Sequence, residues 1–372
     1  SDAGCNGRFF TGVITTGIYC LPSCPARKPK PGSVRFFPSC EAARAAGLRA
    51  CRKCHPDDFA RGADPILEDI ELVVAEVRAN PSRFADARAV VRRSGFGATR
   101  LFELFRQHFH TTPADLLLRA RLEAAKTALA AADPSRESPS LLEIAGAAGF
   151  ESQSVFHEHF RRSTGLTPNT YRALRAANTF TLGLPPGYSL PHLKRALGRD
   201  THSLTERLDG NAYTAAVRLN TGPALLRMQL SPDSVSVEVN GQAQPRTSPA
   251  AGAHGPKDSL SISIQSHEVV AGMLGLDQDA AAFARLAGNL GLVRLVAGRP
   301  QLRIAQTPSV FDGLLWAIVG QQINFPFACQ LRRRLVASAG TPLAEGLYSP
   351  PTPAAIAALE PSDLIPLQFS RQ

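Results

Sequence analysis

Thr15-Thr16-Gly17-Ile18-Tyr19-Cys20-Leu21-Pro22-Ser23-Cys24 is the stretch that decides how the front of this chain folds. Its two cysteines are separated by three residues, and a second pair, Cys51 and Cys54, is separated by two. Each pair can place two sulfurs on one metal ion, and a tetrahedral all-cysteine zinc site needs two such pairs. The spacing therefore predicts one zinc ion held by Cys20, Cys24, Cys51 and Cys54.

Spacing alone leaves the role of this metal site open. It is compatible with a purely structural zinc knuckle and with a reactive zinc-thiolate centre. A redox-active pair fits less well, because the C-x-x-C sequence does not follow a strand of a βαβ unit. Cys5 and Cys40 lie outside the two pairs and are interpreted as bystander thiols.

The segment around these cysteines, residues 1–60, has a composition of its own. It contains six prolines and no sustained hydrophobic period, so it would struggle to bury a core without a metal. It also holds nine Lys and Arg against four Asp and Glu, a net charge of +5 out of +10 for the whole chain. These features predict a small, basic module stapled by zinc.

The whole chain has an ordinary globular composition with a basic excess. Its length of 372 residues predicts several domains, and its hydrophobic content is 44%. No apolar run approaches the roughly 20 residues that span a bilayer. The 41 basic residues outnumber the 31 acidic ones, which favours a polyanionic partner such as nucleic acid. Cysteines spaced as metal ligands, without a secretory signal, predict a soluble protein of the reducing cytoplasm. The start at Ser1 and the end at Gln372 both fall in mid-pattern, which suggests a piece of a longer chain.

The residues around the four cysteines resemble the N-terminal domain of the Ada family of alkylation-response proteins. The resemblance rests on Phe10, on the run from Thr15 to Cys24, and on Ala45-Ala46-Gly47-Leu48-Arg49-Ala50-Cys51-Arg52-Lys53-Cys54-His55-Pro56. In that family the first cysteine of the first pair takes a methyl group from a DNA methylphosphotriester. The resemblance implies that Cys20 is the acceptor of an irreversible, single-turnover cysteine S-methyltransferase and that the other three cysteines are its co-ligands.

The chemistry agrees with this role for Cys20. Attack on a methyl carbon needs a thiolate, and coordination to zinc keeps a thiol deprotonated at neutral pH. Four thiolates on Zn²⁺ carry a net charge of −2, which becomes −1 after one is methylated, so methylation should strengthen binding to DNA phosphates. The expected DNA-contact residues of this module are Thr16, Arg27, Arg49, Arg52 and Lys53.

Residues 61–176 show helical patterns with an internal repeat. A helix is predicted from Asp64-Pro65 to Asn80-Pro81, and a longer one carries the apolar stripe Leu118, Leu122, Ala125 and Leu129, which Asp133-Pro134 terminates. Two similar segments flank this longer helix, at an offset of 54 or 55 residues. The first contains Gly95-Phe96, Leu101, Phe105 and Thr112-Pro113, and the second contains Gly149-Phe150, Phe156, Phe160 and Thr167-Pro168.

The two repeats resemble the double helix-turn-helix of AraC-type activators, which implies recognition helices at 97–107 and 152–162 in successive major grooves. Their predicted core residues are Leu101, Phe105, Val155, Phe156 and Phe160, and their predicted base-reading residues are Thr99, Arg100, Gln153, Ser154 and His157. An Ada-like module followed by an AraC-like module is the order of methylation-triggered activators, which implies a specific double-stranded operator and RNA polymerase as partners. The rival hypothesis is a DNA-binding regulator whose zinc is structural only.

Residues 177–372 begin with strand patterns and continue as helices. Alternation predicts strands at 226–230, 235–239 and 260–264, with a mobile loop at 241–257, and helices from His267 onward. The region, and most of all the helix Phe311–Ile323, resembles the AlkA-type 3-methyladenine DNA glycosylases. Their glycine-rich hairpin and following catalytic Asp have no counterpart before Gln372, so base excision is expected only of a longer parent chain. Asp312 is interpreted as a helix-start residue.

Together these patterns predict a multidomain α+β protein. Its expected parts are a zinc-stapled α/β module, an all-α double helix-turn-helix, a small antiparallel sheet domain and a partial all-α helix-hairpin-helix glycosylase domain. The expected bounds are 1–60, 61–176, 177–280 and 281–372.

Overall fold

A computed structural model describes residues 3–62, 64–131, 139–241, 261–299 and 301–369. The chain forms two compact units, one of residues 1–124 with 146–151 and the other of residues 125–145 with 152–372. The structure has the multidomain α+β architecture that the sequence predicts. Among the described residues, no helix is both long and apolar enough to cross a membrane.

The first unit begins with a four-stranded sheet of order β3-β1-β2-β4, flanked by two short helices. The elements are β1 Phe10–Val13, β2 Ile18–Cys20, β3 Val34–Phe37, α1 Cys40–Ala45, β4 Arg49–Ala50 and α2 Pro56–Ala60. Strands β1 and β2 form a hairpin, whereas β2 and β4 run parallel, with Ile18 opposite Arg49 and Tyr19 opposite Ala50. The small core contains Phe10, Tyr19, Leu21, Ala43 and Leu48, and the metal-spaced cysteines are part of it.

Helices α3 Pro65–Ala79, α4 Ala87–Ser94 and α5 Ala98–Phe109 follow, and α6 Pro113–Ala131 is the long helix after them. The side chain of Asp64 caps α3 by accepting from the backbone N–H groups of Ile66 and Leu67, as its position before a proline predicts. One buried cluster joins α3, α4, α5 and the start of α6, with Ile70, Leu101 and Phe105 fully buried. The first recognition helix thus lies where the sequence predicts it.

The second copy of the repeat consists of α7 Leu141–Ala147, α8 Gln153–Thr164 and α9 Pro168–Ala173. Phe156, Phe160 and Thr164 are buried in α8 because spacings of four residues place them on one face. Val155 was predicted to belong to this core, and that prediction is wrong, since the residue is 46% exposed. It precedes the buried stripe by one residue and so points about 100° away from it.

The repeated glycines have a conformational reason. Gly95 and Gly149 both adopt positive φ, in the turn that precedes each recognition helix. At Gly149 a Cβ atom would also lie 2.9 Å from the Cα of Ser82, closer than real contacts allow. Positive φ is the condition that the two positions share, and glycine adopts it without strain, which explains why glycine recurs in the two copies.

The region after α9 contains a five-stranded antiparallel sheet of order β5-β9-β8-β7-β6. Its elements are β5 Thr179–Gly183, α10 Leu190–Leu197, β6 Glu206–Asp209, β7 Ala212–Leu219, β8 Gly222–Leu230 and β9 Ser234–Gly241. The strands predicted at 226–230 and 235–239 are confirmed as parts of β8 and β9, where Met228 pairs with Val237. The predicted loop from 241 to 257 lies outside the described residues after its first position.

The rest of the chain is mainly helical. Its elements are α11 Ile262–Met273, α12 Ala280–Asn289, α13 Val310–Val319, α14 Phe325–Ala339, the short pair β10 Thr341–Pro342 and β11 Tyr348–Ser349, α15 Pro353–Ala357 and α16 Pro361–Leu364. The strand predicted at 260–264 is wrong, because Ile262 begins a helix whose N-cap, Ser261, accepts from the backbone of Ile264. Two alternating isoleucines had imitated a strand, although α11 is buried on more than one face.

Candidate metal centre

Strand pairing brings the two cysteine pairs together. Because β2 and β4 are parallel, Cys20 at the end of β2 and Cys51 just after β4 become neighbours, and the Cys51 N–H donates to the Tyr19 carbonyl at 3.0 Å. A tight turn, in which the Cys24 N–H donates to the Leu21 carbonyl, returns Cys24 toward Cys20. Cys54 follows in the turn before α2, and the chain thus converges four sulfurs on one point.

The four sulfur atoms of Cys20, Cys24, Cys51 and Cys54 all lie within 4.8 Å of one another, and those of Cys24 and Cys51 are 3.9 Å apart. Sulfurs bound to one zinc ion at about 2.3 Å in a tetrahedron are about 3.8 Å apart. The geometry therefore fits one zinc ion with four cysteine ligands, as the spacing predicts.

The charge balance of the cluster also calls for a cation. Hydrogen bonding from neighbouring sulfurs, with Cys24 first, raises the pKa of Cys20, and the same kind of contact, with Cys20 first, raises that of Cys54. Contacts with Cys20 lower the pKa values of Cys24 and Cys51. Four thiolates packed this closely repel one another, and a divalent cation would offset their negative charge.

The four sulfurs differ in access and in hydrogen bonding. Cys51 and Cys54 are buried, whereas Cys20 and Cys24 are half-buried. Backbone N–H groups donate to the two buried sulfurs, from Leu21 to Cys54 at 3.3 Å and from Lys53 to Cys51 at 3.4 Å.

Polar side chains behind the cysteines hold the two loops in place. Asn6 donates to the Ser23 hydroxyl at 2.9 Å and accepts from the Ser23 N–H at 3.2 Å, which fixes the first loop. The Tyr19 hydroxyl donates to Asp57 at 2.5 Å, and Arg44 pairs with the same carboxylate at 3.0 Å. Burial and the bond to Asp57 raise the pKa of Tyr19, so it stays a neutral donor. Sequence reasoning missed this tie between the residue before Cys20 and the helix after Cys54.

The two remaining cysteines of this module stand apart from the cluster. Cys40 is buried in α1 and its thiol donates to the Pro56 carbonyl at 3.4 Å, while burial raises its pKa to about 12. Cys5 is half-buried and does not belong to the group of sulfurs that could share an ion. Both remain interpreted as bystanders.

The expected DNA-contact residues of the zinc module lie on its surface. The side chains of Thr16, Arg27, Arg49, Arg52 and Lys53 are all exposed. Arg52 and Lys53 lie in the loop between two zinc-spaced cysteines, and the Arg49 N–H donates to the Gly17 carbonyl at 2.9 Å. The Thr16 hydroxyl donates to the Val13 carbonyl at 3.3 Å inside the β1–β2 turn. These placements are compatible with the predicted contacts, which remain predictions.

The expected base-reading residues lie at the starts of the recognition helices. Thr99, Gln153 and Ser154 are exposed, and Arg100 is half-buried with a 3.4 Å ion pair to Glu103. His157 is half-buried, with its ring edge-on to Phe156, and its Nε2 atom is buried without a partner among the described atoms. Exposure at the first turn favours the first three as groove contacts, whereas Arg100 and His157 are partly occupied within the protein.

The arrangement defines a class of protein: a four-thiolate metal module that precedes two helix-turn-helix units. Residues 1–57 match the family described as metal binding domain of Ada, and residues 90–174 match the family described as helix-turn-helix domain. The chain therefore carries an Ada-type metal-binding domain followed by a helix-turn-helix domain. Double-stranded DNA is accordingly its partner class.

Similar proteins extend the likeness beyond these two domains. The chain is 29% identical over 364 residues to "Probable bifunctional transcriptional activator/DNA repair enzyme AlkA" of Mycobacterium tuberculosis, an alignment that covers 92% of this chain and 68% of the relative. It is 27% identical over 174 residues to "Bifunctional transcriptional activator/DNA repair enzyme AdaA" of Bacillus subtilis, covering 47% of this chain and 79% of that one. Among solved structures, a 3-methyladenine DNA glycosylase from Archaeoglobus fulgidus matches 52% of this chain and 62% of its own, with 19% identity and a TM-score of 0.42.

Proposed function

We propose that this protein removes methyl groups from DNA methylphosphotriesters by transferring each one irreversibly to Cys20, and that the methylated protein then activates transcription. The observation that carries the proposal is the convergence of four sulfurs in a segment that matches the metal binding domain of Ada. Cys51 and Cys54 are buried and accept backbone N–H bonds, whereas Cys20 and Cys24 are half-buried. The resemblance to the Ada family selects Cys20, the first cysteine of the first pair, as the acceptor.

Each hydrogen bond from an N–H group to a thiolate withdraws negative charge from the sulfur and lowers its nucleophilicity. Cys51 and Cys54 are both buried, and their hydrogen bonds from backbone N–H groups lower the nucleophilicity of their sulfurs. Cys20 and Cys24 are the half-buried sulfurs of the cluster. Of these two, the resemblance to the Ada family assigns the methyl group to Cys20.

The transfer needs no further acid or base from the chain. A bound zinc ion supplies the low thiol pKa that makes Cys20 a thiolate at neutral pH. The sulfur lone pair forms the new S–CH₃ bond while the methyl C–O bond breaks, and its electron pair stays on the phosphate oxygen as a diester anion. The thioether product is a poor leaving group, so each chain accepts one methyl group.

The residues behind Cys20 orient the sulfur for this reaction. Tyr19 is fully buried and its hydroxyl is bonded to Asp57, so the strand that ends in Cys20 is held against the start of α2. Asn6 holds the loop between Cys20 and Cys24 through Ser23. Arg27, Arg49, Arg52 and Lys53 are assigned to the DNA phosphates around the methylated one, where their charge also draws the duplex to the module.

The remaining parts of the chain supply the output. Residues 61–176 are assigned to operator binding through α5 and α8, with RNA polymerase as the protein that responds to the bound activator. Residues 177–280 and 281–372 are assigned to a sheet domain and to part of a glycosylase-like helical domain. Residues 1–60 are assigned to the methyl-acceptor domain.

Intact-mass measurement tests the proposal on the zinc-loaded chain after incubation with a duplex that carries methylphosphotriesters. The chain should gain the mass of one methyl group and no more at long times. Cys20→Ala should gain none, while Cys5→Ala, which removes a half-buried thiol outside the cluster, should gain one as the wild type does. A zinc-loaded wild-type chain that gains no methyl group would favour the rival function, a DNA-binding regulator with a purely structural zinc site.

A further inference from the structure

A buried histidine joins the second helix-turn-helix to the region that follows it. His267 lies in α11 and is 2% exposed. Its Nε2 atom is 2.7 Å from the carbonyl oxygen of Thr164, the last residue of the recognition helix α8. A carbonyl can only accept, so Nε2 carries the proton and donates this bond.

The His267 ring also packs against two other elements. It meets the ring of Tyr171 in α9 edge-to-face, with centroids 5.4 Å apart and planes at 89°. It lies 5.8 Å from the ring of Phe180 in β5. One side chain of α11 therefore touches α8, α9 and β5, an edge strand of the five-stranded sheet.

Further contacts surround this histidine. The Ser263 hydroxyl donates to the Ala177 carbonyl at 2.5 Å, which ties α11 to the segment between α9 and β5. A Cβ atom at Gly165, the residue after α8, would lie 3.4 Å from Leu182 of β5, so this backbone rests on the sheet. Tyr171 packs in turn on Phe160 of α8, with ring centroids 5.4 Å apart.

Several contacts offset the cost of burying the His267 ring. The Nδ1 atom of His267 is buried without a partner among the described atoms, which is unfavourable. The bond from Nε2 to Thr164 and the ring contacts with Tyr171 and Phe180 act against that cost and are lost if the junction opens. Burial lowers the pKa of His267 to about 4, which keeps the ring neutral and its donor on Thr164.

We propose that His267 latches the second helix-turn-helix onto the sheet region, so that the recognition helix α8 and the five-stranded sheet move as one rigid body. The inference rests on the proposed operator binding by α8, and it does not depend on methyl transfer to Cys20. Operator binding by α8 then places the glycosylase-like region at a fixed position on the duplex, instead of leaving it on a tether. The sheet region after residue 176 is thereby rigidly connected to the second helix-turn-helix.

Amide hydrogen exchange on the full-length chain tests this latch. His267→Ala should accelerate exchange in peptides from 153–173 and 179–183 about tenfold, the loss expected from one buried hydrogen bond and its packing. Peptides from α5, residues 98–109, should exchange as in the wild type. His202→Ala, which changes an exposed histidine of the same region, is the matched control and should change none of these rates.

His267→Gln should restore part of the protection, because an amide N–H can still donate to the Thr164 carbonyl. If His267→Ala does not fold, Ser263→Ala, which removes the neighbouring bond to Ala177, provides the same comparison. Unchanged exchange at 153–173, or an increase equally large in α5, overturns the proposal. Methyl uptake at Cys20 is measured separately, so failure of the latch and failure of methyl transfer remain distinguishable.

Discussion

Asp312 offers a sharp test of how the helical region after the sheet is held together. Its carboxylate is 2.9 Å from the Arg332 guanidinium, and both side chains are 4% exposed. Arg332 also donates to Thr205 at 2.9 Å and lies over the Trp316 ring at 4.8 Å. Removing the carboxylate leaves a buried positive charge without its ion-pair partner, which typically costs about 3–5 kcal/mol. Asp312→Ala should lower the free energy of unfolding of this region by that amount.

Trp316 makes the measurement local, since it is the only tryptophan of the chain and contacts Arg332 directly. Urea unfolding followed by its fluorescence gives the free energies. Glu238→Ala is the matched control: it breaks a half-exposed pair with Arg227 at 3.6 Å and should cost less than about 1 kcal/mol. Asp312→Leu combined with Arg332→Met should recover most of the loss, because no unpaired charge remains. An Asp312→Ala chain as stable as the Glu238→Ala chain would refute the reasoning.

Three further predictions concern zinc, acid and salt. Chelation should unfold residues 3–62 and leave the Trp316 signal intact, because the sulfurs are part of that module's small core; zinc-free protein with a protected module would contradict this. Below pH 6.5 the wild type should lose up to about 3 kcal/mol relative to His267→Gln by pH 4. The reason is that burial and the Lys126 charge lower the folded pKa of His267 to about 4, so protons bind the unfolded chain first. Free energies of unfolding that fall in parallel with pH for the wild type and His267→Gln would contradict this prediction. Methylated protein should bind its operator more tightly than unmethylated protein, with a difference that shrinks as salt shortens screening to about 8 Å; equal affinities at low salt would make methylation damage disposal only.

The sequence predicts the metal centre well because metal ligands are local. The pairs Cys20/Cys24 and Cys51/Cys54 are each close in the chain, and residue type with spacing suffices to name the ion. The parallel contact of β2 with β4, which makes Cys20 and Cys51 neighbours, is not visible in the sequence because it joins residues some thirty positions apart. The bond from the Leu21 N–H to the Cys54 sulfur joins the same two parts of the chain.

The helical repeat was predictable for a similar reason, since a turn glycine and spaced phenylalanines are local signals. The prediction that Val155 is buried was wrong because this apolar residue lies next to the apolar stripe in sequence. One step along a helix turns a side chain by about 100°, so Val155 lies outside the buried face. The strand predicted at 260–264 was wrong because alternation over so few residues, such as Ile262 and Ile264, does not distinguish a strand from a buried helix. The partners of His267, Asp312 and Tyr19 are tertiary contacts, and no local pattern announces them.

Peptide mapping by mass spectrometry, after the zinc-loaded chain has reacted with methylphosphotriester DNA, tests the central claim most directly. The account predicts one methyl group per chain and places it on the sulfur of Cys20, the half-buried first cysteine of the first pair. A methyl group on Cys24, Cys51 or Cys54 would contradict it.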